Sequence, residues 1–107
     1  MERYFYTAKY TVPAEAVNKT FTTNFKPQWV KVFNMSGKCT LEWTDTMDAA
    51  AGYKVKTGID ATADTVSLHG PITEKGITVL ENGFTLGLDT DINVATHVLH
   101  VVAGRNS

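Results

Sequence analysis

Three histidines and one cysteine are the residues of this chain best suited to nucleophilic or metal chemistry, and their spacing keeps them apart. His97 and His100 are three positions apart on a predicted strand, which puts their side chains on opposite faces of a sheet. His69 stands beside the Gly70-Pro71 step, and nothing in the sequence brings it near Cys39. Because a Cys/His dyad needs the two side chains in hydrogen-bond contact, we expect no catalytic dyad and no histidine metal site.

The segment Asp89-Thr90-Asp91-Ile92-Asn93 begins like a calcium loop, because D-x-D-x-N supplies the first three oxygen ligands of that motif. The pattern then fails, since the glycine of position six is replaced by Val94 and the glutamate of position twelve by His100. Aspartate and asparagine also form turns by bonding to nearby backbone. We interpret this segment as a turn, with a weak cation site as the alternative, and predict no metal and no cofactor.

Paired carboxylates and phosphate-binding loops are the other chemical patterns to consider. Glycoside hydrolysis needs one carboxyl group in an apolar pocket, whereas Glu42 lies on the polar face of its strand and Asp45 and Asp48 lie in a loop. The run from Gly83 to Gly87 lacks the lysine and the following helix of a phosphate-binding loop. The sequence therefore predicts a protein that is not an enzyme.

Composition narrows the class further. The chain has 107 residues, with ten basic and eleven acidic side chains interspersed along it, and we expect one domain spanning residues 1–107. The absence of a basic stripe predicts no nucleic-acid partner. No apolar run approaches the roughly 18 residues of a membrane helix, and the first residues do not resemble a signal peptide. We expect synthesis in a cytoplasm.

The elements that must position any site are strands. Apolar and polar residues alternate with period two through most of the chain, and turn signals recur between the short alternating runs. This predicts an all-β, antiparallel β-sandwich or jelly-roll-like single domain with an extended N-terminal segment. The expected strands are 4–12, 20–24, 29–34, 39–43, 53–57, 66–68, 77–80, 84–88 and 96–102.

Four local predictions follow from this pattern. Strands 29–34 and 39–43 should form a hairpin, with Cys39 buried as a small apolar residue. A second hairpin should turn at Asn82-Gly83, with both residues at positive φ. Strand 53–57 should be an edge strand whose lysines point to solvent. Residues 45–52 should be a loop or one short helical turn that ends at Gly52.

The aromatic residues are candidates for binding. Tyr4, Tyr6 and Tyr10 share one face of the N-terminal segment, which is either held by its own sheet or added as a strand to a neighbouring subunit. We therefore divide the chain into a possible arm, 1–13, and a sandwich, 14–107. Trp29 and Trp43 are interpreted as core residues, with a sugar-stacking platform as the alternative.

The last third of the sequence and part of its middle resemble small structural proteins of tailed bacteriophages, of the capsid decoration or cement type. The resemblance does not extend to the residues before Trp29. It rests on turn glycines, core apolar residues and one polar loop, namely Gly76, Ile77, Gly83, Phe84, Leu86, Gly87, Asp89, Asn93, 98–102 and Ala103, together with 29–32, 41–43 and 45–47.

This resemblance implies a virion protein on the capsid surface, made in the host cytoplasm, that binds the major capsid protein and forms a homo-oligomer, with a trimer favoured. Two alternatives stay open: a phage tail or fibre component that binds a host receptor, and a soluble carbohydrate-binding module. The residues expected to contact a partner are Tyr4, Tyr6, Tyr10, Asp45, Met47, Asp89 and Asp91.

Overall fold

A computed structural model describes residues 4–47, 51–56, 65–68, 75–89 and 91–106, and every regular element in these ranges is a β-strand. The all-β prediction is confirmed. Within the same ranges there is no helix with the length and apolarity needed to cross a membrane. The strands are β1 (Tyr4–Thr11), β2 (Lys19–Thr22), β3 (Trp29–Asn34), β4 (Cys39–Thr44), β5 (Gly52–Lys56), β6 (Thr65–Leu68), β7 (Ile77–Leu80), β8 (Gly83–Leu86) and β9 (Val98–Arg105).

The strands form two antiparallel sheets that share one core. The larger sheet has the order β1-β9-β3-β4-β5-β6 and the smaller has the order β2-β8-β7. Phe21 of β2 stacks on Phe84 of β8 at 5.0 Å between ring centroids, and Tyr10 of β1 contacts Phe21 edge-on at 5.6 Å. The inward side chains of both sheets therefore meet in one sandwich-like arrangement.

The β3–β4 hairpin is confirmed, and its register runs from Trp29 opposite Thr44 to Asn34 opposite Cys39. Cys39, Leu41 and Trp43 all point into the core, as their alternation predicted, and Leu41 is fully buried. Burying a side chain such as leucine stabilises a fold by about 1.5–3 kcal/mol. The hairpin is therefore a main support of the larger sheet.

The β7–β8 hairpin is also present, but the predicted turn at Asn82-Gly83 is wrong. Leu80 pairs with Gly83, so the two loop residues are Glu81 and Asn82. None of these loop residues, nor Gly83, is among the described residues that have positive φ. Gly83 is needed for another reason: a Cβ there would lie 2.0 Å from the carbonyl oxygen of Phe21 on the neighbouring strand.

The N-terminal segment is the edge strand of the larger sheet. β1 pairs with β9 along its whole length, from Tyr4 opposite Arg105 to Thr11 opposite Val98. The chain's own sheet therefore holds this segment, which is one of the two predicted alternatives. Addition of the segment to a neighbouring subunit stays a prediction.

The orientation predicted for β5 is wrong. β5 is not an edge strand, because it lies between β4 and β6. Lys54 points into the core and is 5% exposed, whereas Tyr53 is 42% exposed. Gly52 begins β5, and residues 48–50 of the segment predicted as a loop or short helical turn lie outside the described ranges. Other residues that the sequence singled out lie outside the described ranges, namely Asp48, Thr57, His69, Gly70-Pro71 and Thr90.

Candidate interaction face

Lys54 is buried because two carboxylates hold its ammonium group. Its Nζ atom lies 3.1 and 2.9 Å from the two carboxylate oxygens of Asp89 and 2.7 Å from Oδ2 of Asp91. The side chains of Lys54 and Asp89 are 6% and 3% exposed, and that of Asp91 is 27% exposed. These three residues, named here the ion cluster, tie β5 to the loop that precedes β9.

The ion cluster is further organised by backbone hydrogen bonds. Oδ1 of Asp89 accepts bonds from the N–H groups of Asp91 and Ile92 at 2.9 and 3.2 Å. Burial alone lowers the pKa of Lys54, but the hydrogen bonds and charges of Asp91 and Asp89 outweigh it and raise that pKa above the ordinary value of 10.5. Among the described residues, no group of three or more His, Cys, Asp or Glu side chains is placed to hold a metal ion. The carboxylates of this D-x-D-x-N segment bind the chain's own ammonium group.

Two buried asparagines fix the rest of the same loop. Nδ2 of Asn34 lies 2.9 Å from the carbonyl oxygen of Ile92 and 3.1 Å from Nδ1 of His97, and Oδ1 of Asn34 accepts a bond from the N–H of Gly37. Nδ2 of Asn93 donates to the backbone carbonyls of Val17 and Gly87, at 2.9 Å in each case. The loop from 89 to 97 is therefore part of the packed structure.

His97 and His100, the two histidines in the described ranges, do not converge. His97 precedes β9, and its ring contacts Asn34. His100 lies within β9 with an exposed side chain. The alternation argument placed both residues in one strand, and it does not apply to His97 because β9 begins at Val98.

The larger sheet has a second face, which points away from the core and is named here the open face. The strand registers give this face four exposed or half-buried aromatic rings and few charges. Its residues are Phe5, Thr7, Lys9, Trp29, Lys31, Phe33, Thr40, Glu42, Tyr53, Val55, His100 and Val102.

One row of the open face is built around a glycine. Phe5, Gly104 and Trp29 lie side by side on β1, β9 and β3. A Cβ at Gly104 would lie 2.2 Å from Cζ2 of Trp29, so the indole ring lies across the glycine. Phe5 is 62% exposed, and its ring centroid is 6.3 Å from that of Trp29. The result is an aromatic pair lying on the outside of the sheet.

The two tryptophans therefore have different environments. Trp43 is 6% exposed in the core, in agreement with the core interpretation. Trp29 is half-buried on the open face, so the core interpretation does not hold for it. The signal that separates them is strand phase: Trp43 alternates with Leu41, whereas Trp29 is out of phase with Val30 and Val32.

A shallow apolar depression of about 350 Å³ lies at the end of the open face, beside the β3–β4 turn. Phe33, Thr40 and Val55 contribute to its lining from the sheet, and Met35 contributes from the turn. Met35 is 72% exposed. The depression adds apolar surface beside the β3–β4 turn, and the row that contains Lys31 and Glu42 separates it from the Phe5–Trp29 row.

The three tyrosines that the sequence predicted as contact residues pack against the interior of the protein. The rings of Tyr4 and Tyr10 point inward onto Phe25 and Phe21, each at 5.6 Å, and Tyr6 also packs against the core. The residues of β1 that point outward are Phe5, Thr7, Lys9 and Thr11, none of which was among the predicted contact residues. Phe5 is the one aromatic residue of β1 in the opposite phase from the tyrosines, and that is the signal that could have found it.

The remaining predicted contacts divide between surface and interior. Asp45 is exposed, and Met47 packs partly against the core. Asp89 is 2% exposed and both of its carboxylate oxygens bond to Lys54, and its contact with a partner stays a prediction. Asp91 retains a partly exposed carboxylate.

The open face is suited to packing against a flat apolar surface, because its aromatic rings lie on a regular sheet and its charged side chains are few. The ion cluster has a structural role, since Lys54 joins β5 to the loop. No protein-family model, no curated protein and no solved structure matches this chain.

Proposed function

We propose that this protein is a virion structural protein, a capsid decoration protein that binds the major capsid protein on the outside of a phage head and stabilises the lattice. The open face is the observation that carries the proposal. Its exposed rings, with Met35 beside them, have the composition of protein–protein interface cores, which are enriched in aromatic residues and methionine. The jelly-roll form of the sandwich and the location on the virion belong to the same proposal.

The distribution of charge on the open face supports a protein partner. Lys31 and Glu42 lie opposite each other at the centre of the face, so the two charges balance locally. Such a face suits a partner surface of low net charge and does not suit a polyanion. Many copies on a symmetric lattice multiply a modest contact, because each added contact raises avidity.

The test is decoration of purified heads that lack this protein. We expect the wild-type chain to co-sediment with the heads and the Phe5→Ala variant to bind about thirtyfold more weakly, because truncating an interface hot spot costs about 2 kcal/mol or more. Leu80→Ala is the matched control, since Leu80 is 41% exposed but lies on β7 of the smaller sheet. Failure of the wild-type chain to bind heads would overturn the proposal.

The carbohydrate-binding alternative is favoured by one specific observation, the flat indole of Trp29 over Gly104 beside the exposed ring of Phe5. Aromatic rings on a sheet surface are suited to stacking against sugars. Titration of the Trp43→Phe variant with glycans would report on Trp29 alone by fluorescence. A saturable spectral change supports the glycan function, and an unchanged spectrum with every glycan contradicts it.

The tail or fibre alternative would use the same open face against a host receptor. Immunogold labelling of intact virions separates the two locations. Label on the head surface supports decoration, whereas label confined to the tail contradicts it and supports receptor recognition.

A further inference from the structure

β1 leaves one long edge of the larger sheet without a neighbour among the described strands. It stands at the end of the strand order and is eight residues long, whereas β6 at the other end and β2 and β7 at the edges of the smaller sheet have four residues each. Natural edge strands are usually short or protected by prolines, bulges or several charges. β1 contains no proline and one charged residue, Lys9.

The backbone groups that face this edge can be identified from the pairing with β9. The N–H of Val12 donates to the carbonyl of His97 at 2.9 Å, directly beyond the last β1–β9 pair and in the same register. Hydrogen-bonded and non-hydrogen-bonded pairs alternate along an antiparallel ladder. The even-numbered residues of β1 therefore bond to β9, and Phe5, Thr7, Lys9 and Thr11 direct their N–H and C=O groups to the open edge.

We propose that a second copy of this chain occupies the edge, with β1 antiparallel to the partner's β1 about a two-fold axis that passes beside Ala8. A hydrogen-bonded pair across the axis must join two odd-numbered residues. Centring on Ala8 pairs Phe5 with the partner's Thr11 and Thr7 with the partner's Lys9. All four outward residues of each strand are then used, which gives about eight hydrogen bonds between the copies.

Side chains favour the same centre. Ala8 would face the partner's Ala8 in a non-hydrogen-bonded pair, where side chains approach most closely, and alanine is the smallest residue of β1. Tyr6 would lie opposite the partner's Tyr10, which continues the inner aromatic row across the axis. Centring on Lys9 would set two like charges against each other, and centring on Thr7 would place no described residue of the partner strand opposite Thr11.

The strand is thus complementary to itself, which is the requirement for an isologous contact. A two-fold contact closes at two copies, so it differs from the trimer implied by the resemblance. The inference rests on the geometry of β1 and does not depend on binding to a capsid.

The first test is the mass of the full chain by light scattering, at concentrations of tens of micromolar. We expect the wild-type protein to have twice the chain mass of 11.7 kDa and the Thr7→Pro variant to have the single chain mass. Proline at position 7 removes an N–H that points to the open edge and leaves the hydrogen bonds to β9 in place. Thr7→Val keeps that N–H, and we expect it to remain a dimer. Far-UV circular dichroism reports whether the proline variant is folded.

The second test fixes the register and does not require the proline variant to fold. In a Cys39→Ala background, Ala8→Cys should form a disulfide-linked dimer under mild oxidation, because the two Cβ atoms would lie within about 5.5 Å of each other. Thr7→Cys is the matched control, since Thr7 would face the partner's Lys9, and we expect little cross-linking.

Three results would overturn the proposal: a wild-type mass of one chain, a wild-type mass of three chains, and cross-linking of Thr7→Cys equal to that of Ala8→Cys. A proposal of capsid binding could still hold in each case, because it depends on the open face and is measured with heads.

Discussion

The loop from 89 to 97 and the strand β1 both contain residues that the sequence predicted to contact a partner. The polar groups of the loop form hydrogen bonds within the chain, whereas part of the β1 backbone faces the open edge of the sheet. In the loop, the carboxylates of Asp89 and Asp91 bond to Lys54, and the backbone bonds to Asn34. In β1, half of the backbone groups point away from the protein, and the side chains beside them are neutral except for Lys9.

This difference shows that charge in the sequence is a poor guide to which side chains of this chain remain exposed. Aspartates usually lie at the surface, but two of them were used here to neutralise a lysine in the interior. Under the dimer proposal, a partner is contacted instead by ordinary strand residues whose backbone groups face no other described strand. Disturbing the loop should therefore change stability, and disturbing the outward side of β1 should change association.

The largest effect is expected from Lys54→Met. Removing one partner of a buried ion pair leaves an uncompensated charge, so we expect the free energy of unfolding to fall by about 3–5 kcal/mol in urea denaturation at fixed protein concentration. Lys31→Met is the control, because Lys31 is exposed on the open face, and it should change stability by less than about 0.5 kcal/mol. Equal losses in the two variants would contradict a structural role for the ion cluster.

The ion cluster should also give the protein a sensitivity to alkaline pH. The folded-state pKa of Lys54 is raised above 10.5, so the stabilisation from its ammonium group is fully present below that pH and is lost as pH rises through the folded-state pKa. Urea midpoints measured across this range should fall more steeply for the wild-type protein than for Lys54→Met. Parallel curves for the two proteins would show that the cluster does not contribute this dependence.

A smaller loss of stability is expected from Asn34→Ala on the other side of the loop. Asn34 is 1% exposed, and its removal leaves the carbonyl of Ile92 and the N–H of Gly37 without their side-chain partner. Buried polar groups left in this way cost about 1–3 kcal/mol. Asn18→Ala is the matched control, since Asn18 is exposed. Thermal unfolding of the two variants at one concentration makes the comparison, and a shift of the same size in both would contradict the role given to Asn34.

The strands could be predicted from local alternation, whereas the ion cluster could not. Cys39, Leu41 and Trp43 alternate with polar residues, and this local pattern correctly predicted the β3–β4 hairpin and the side of β4 that faces the core. Lys54 also alternates with apolar neighbours, and its burial depends on Asp89, which is 35 residues further along the chain. A single sequence contains no local signal for such a pairing.

The same limit explains the turn and the N-terminal strand. Gly83 was interpreted as a turn glycine, and it is required because the carbonyl of Phe21 on another strand approaches it. The tyrosines of β1 were recognised as one face, but alternation does not say which face meets the core. The tyrosine face of β1 meets the core because Phe21 of the smaller sheet packs against Tyr10.

The smallest change in the free energy of unfolding is expected for a substitution on the outward side of β1. Thr7 is exposed, and its side chain lies on the open face, so Thr7→Val should change the free energy of unfolding by no more than about 0.5 kcal/mol. The substitution also retains the N–H that would bond to a second copy. Urea denaturation over a range of protein concentrations measures both properties, because dimerisation makes the midpoint rise with concentration. A large loss of stability with no concentration dependence would place Thr7 among the structural residues and remove the contrast between the two regions.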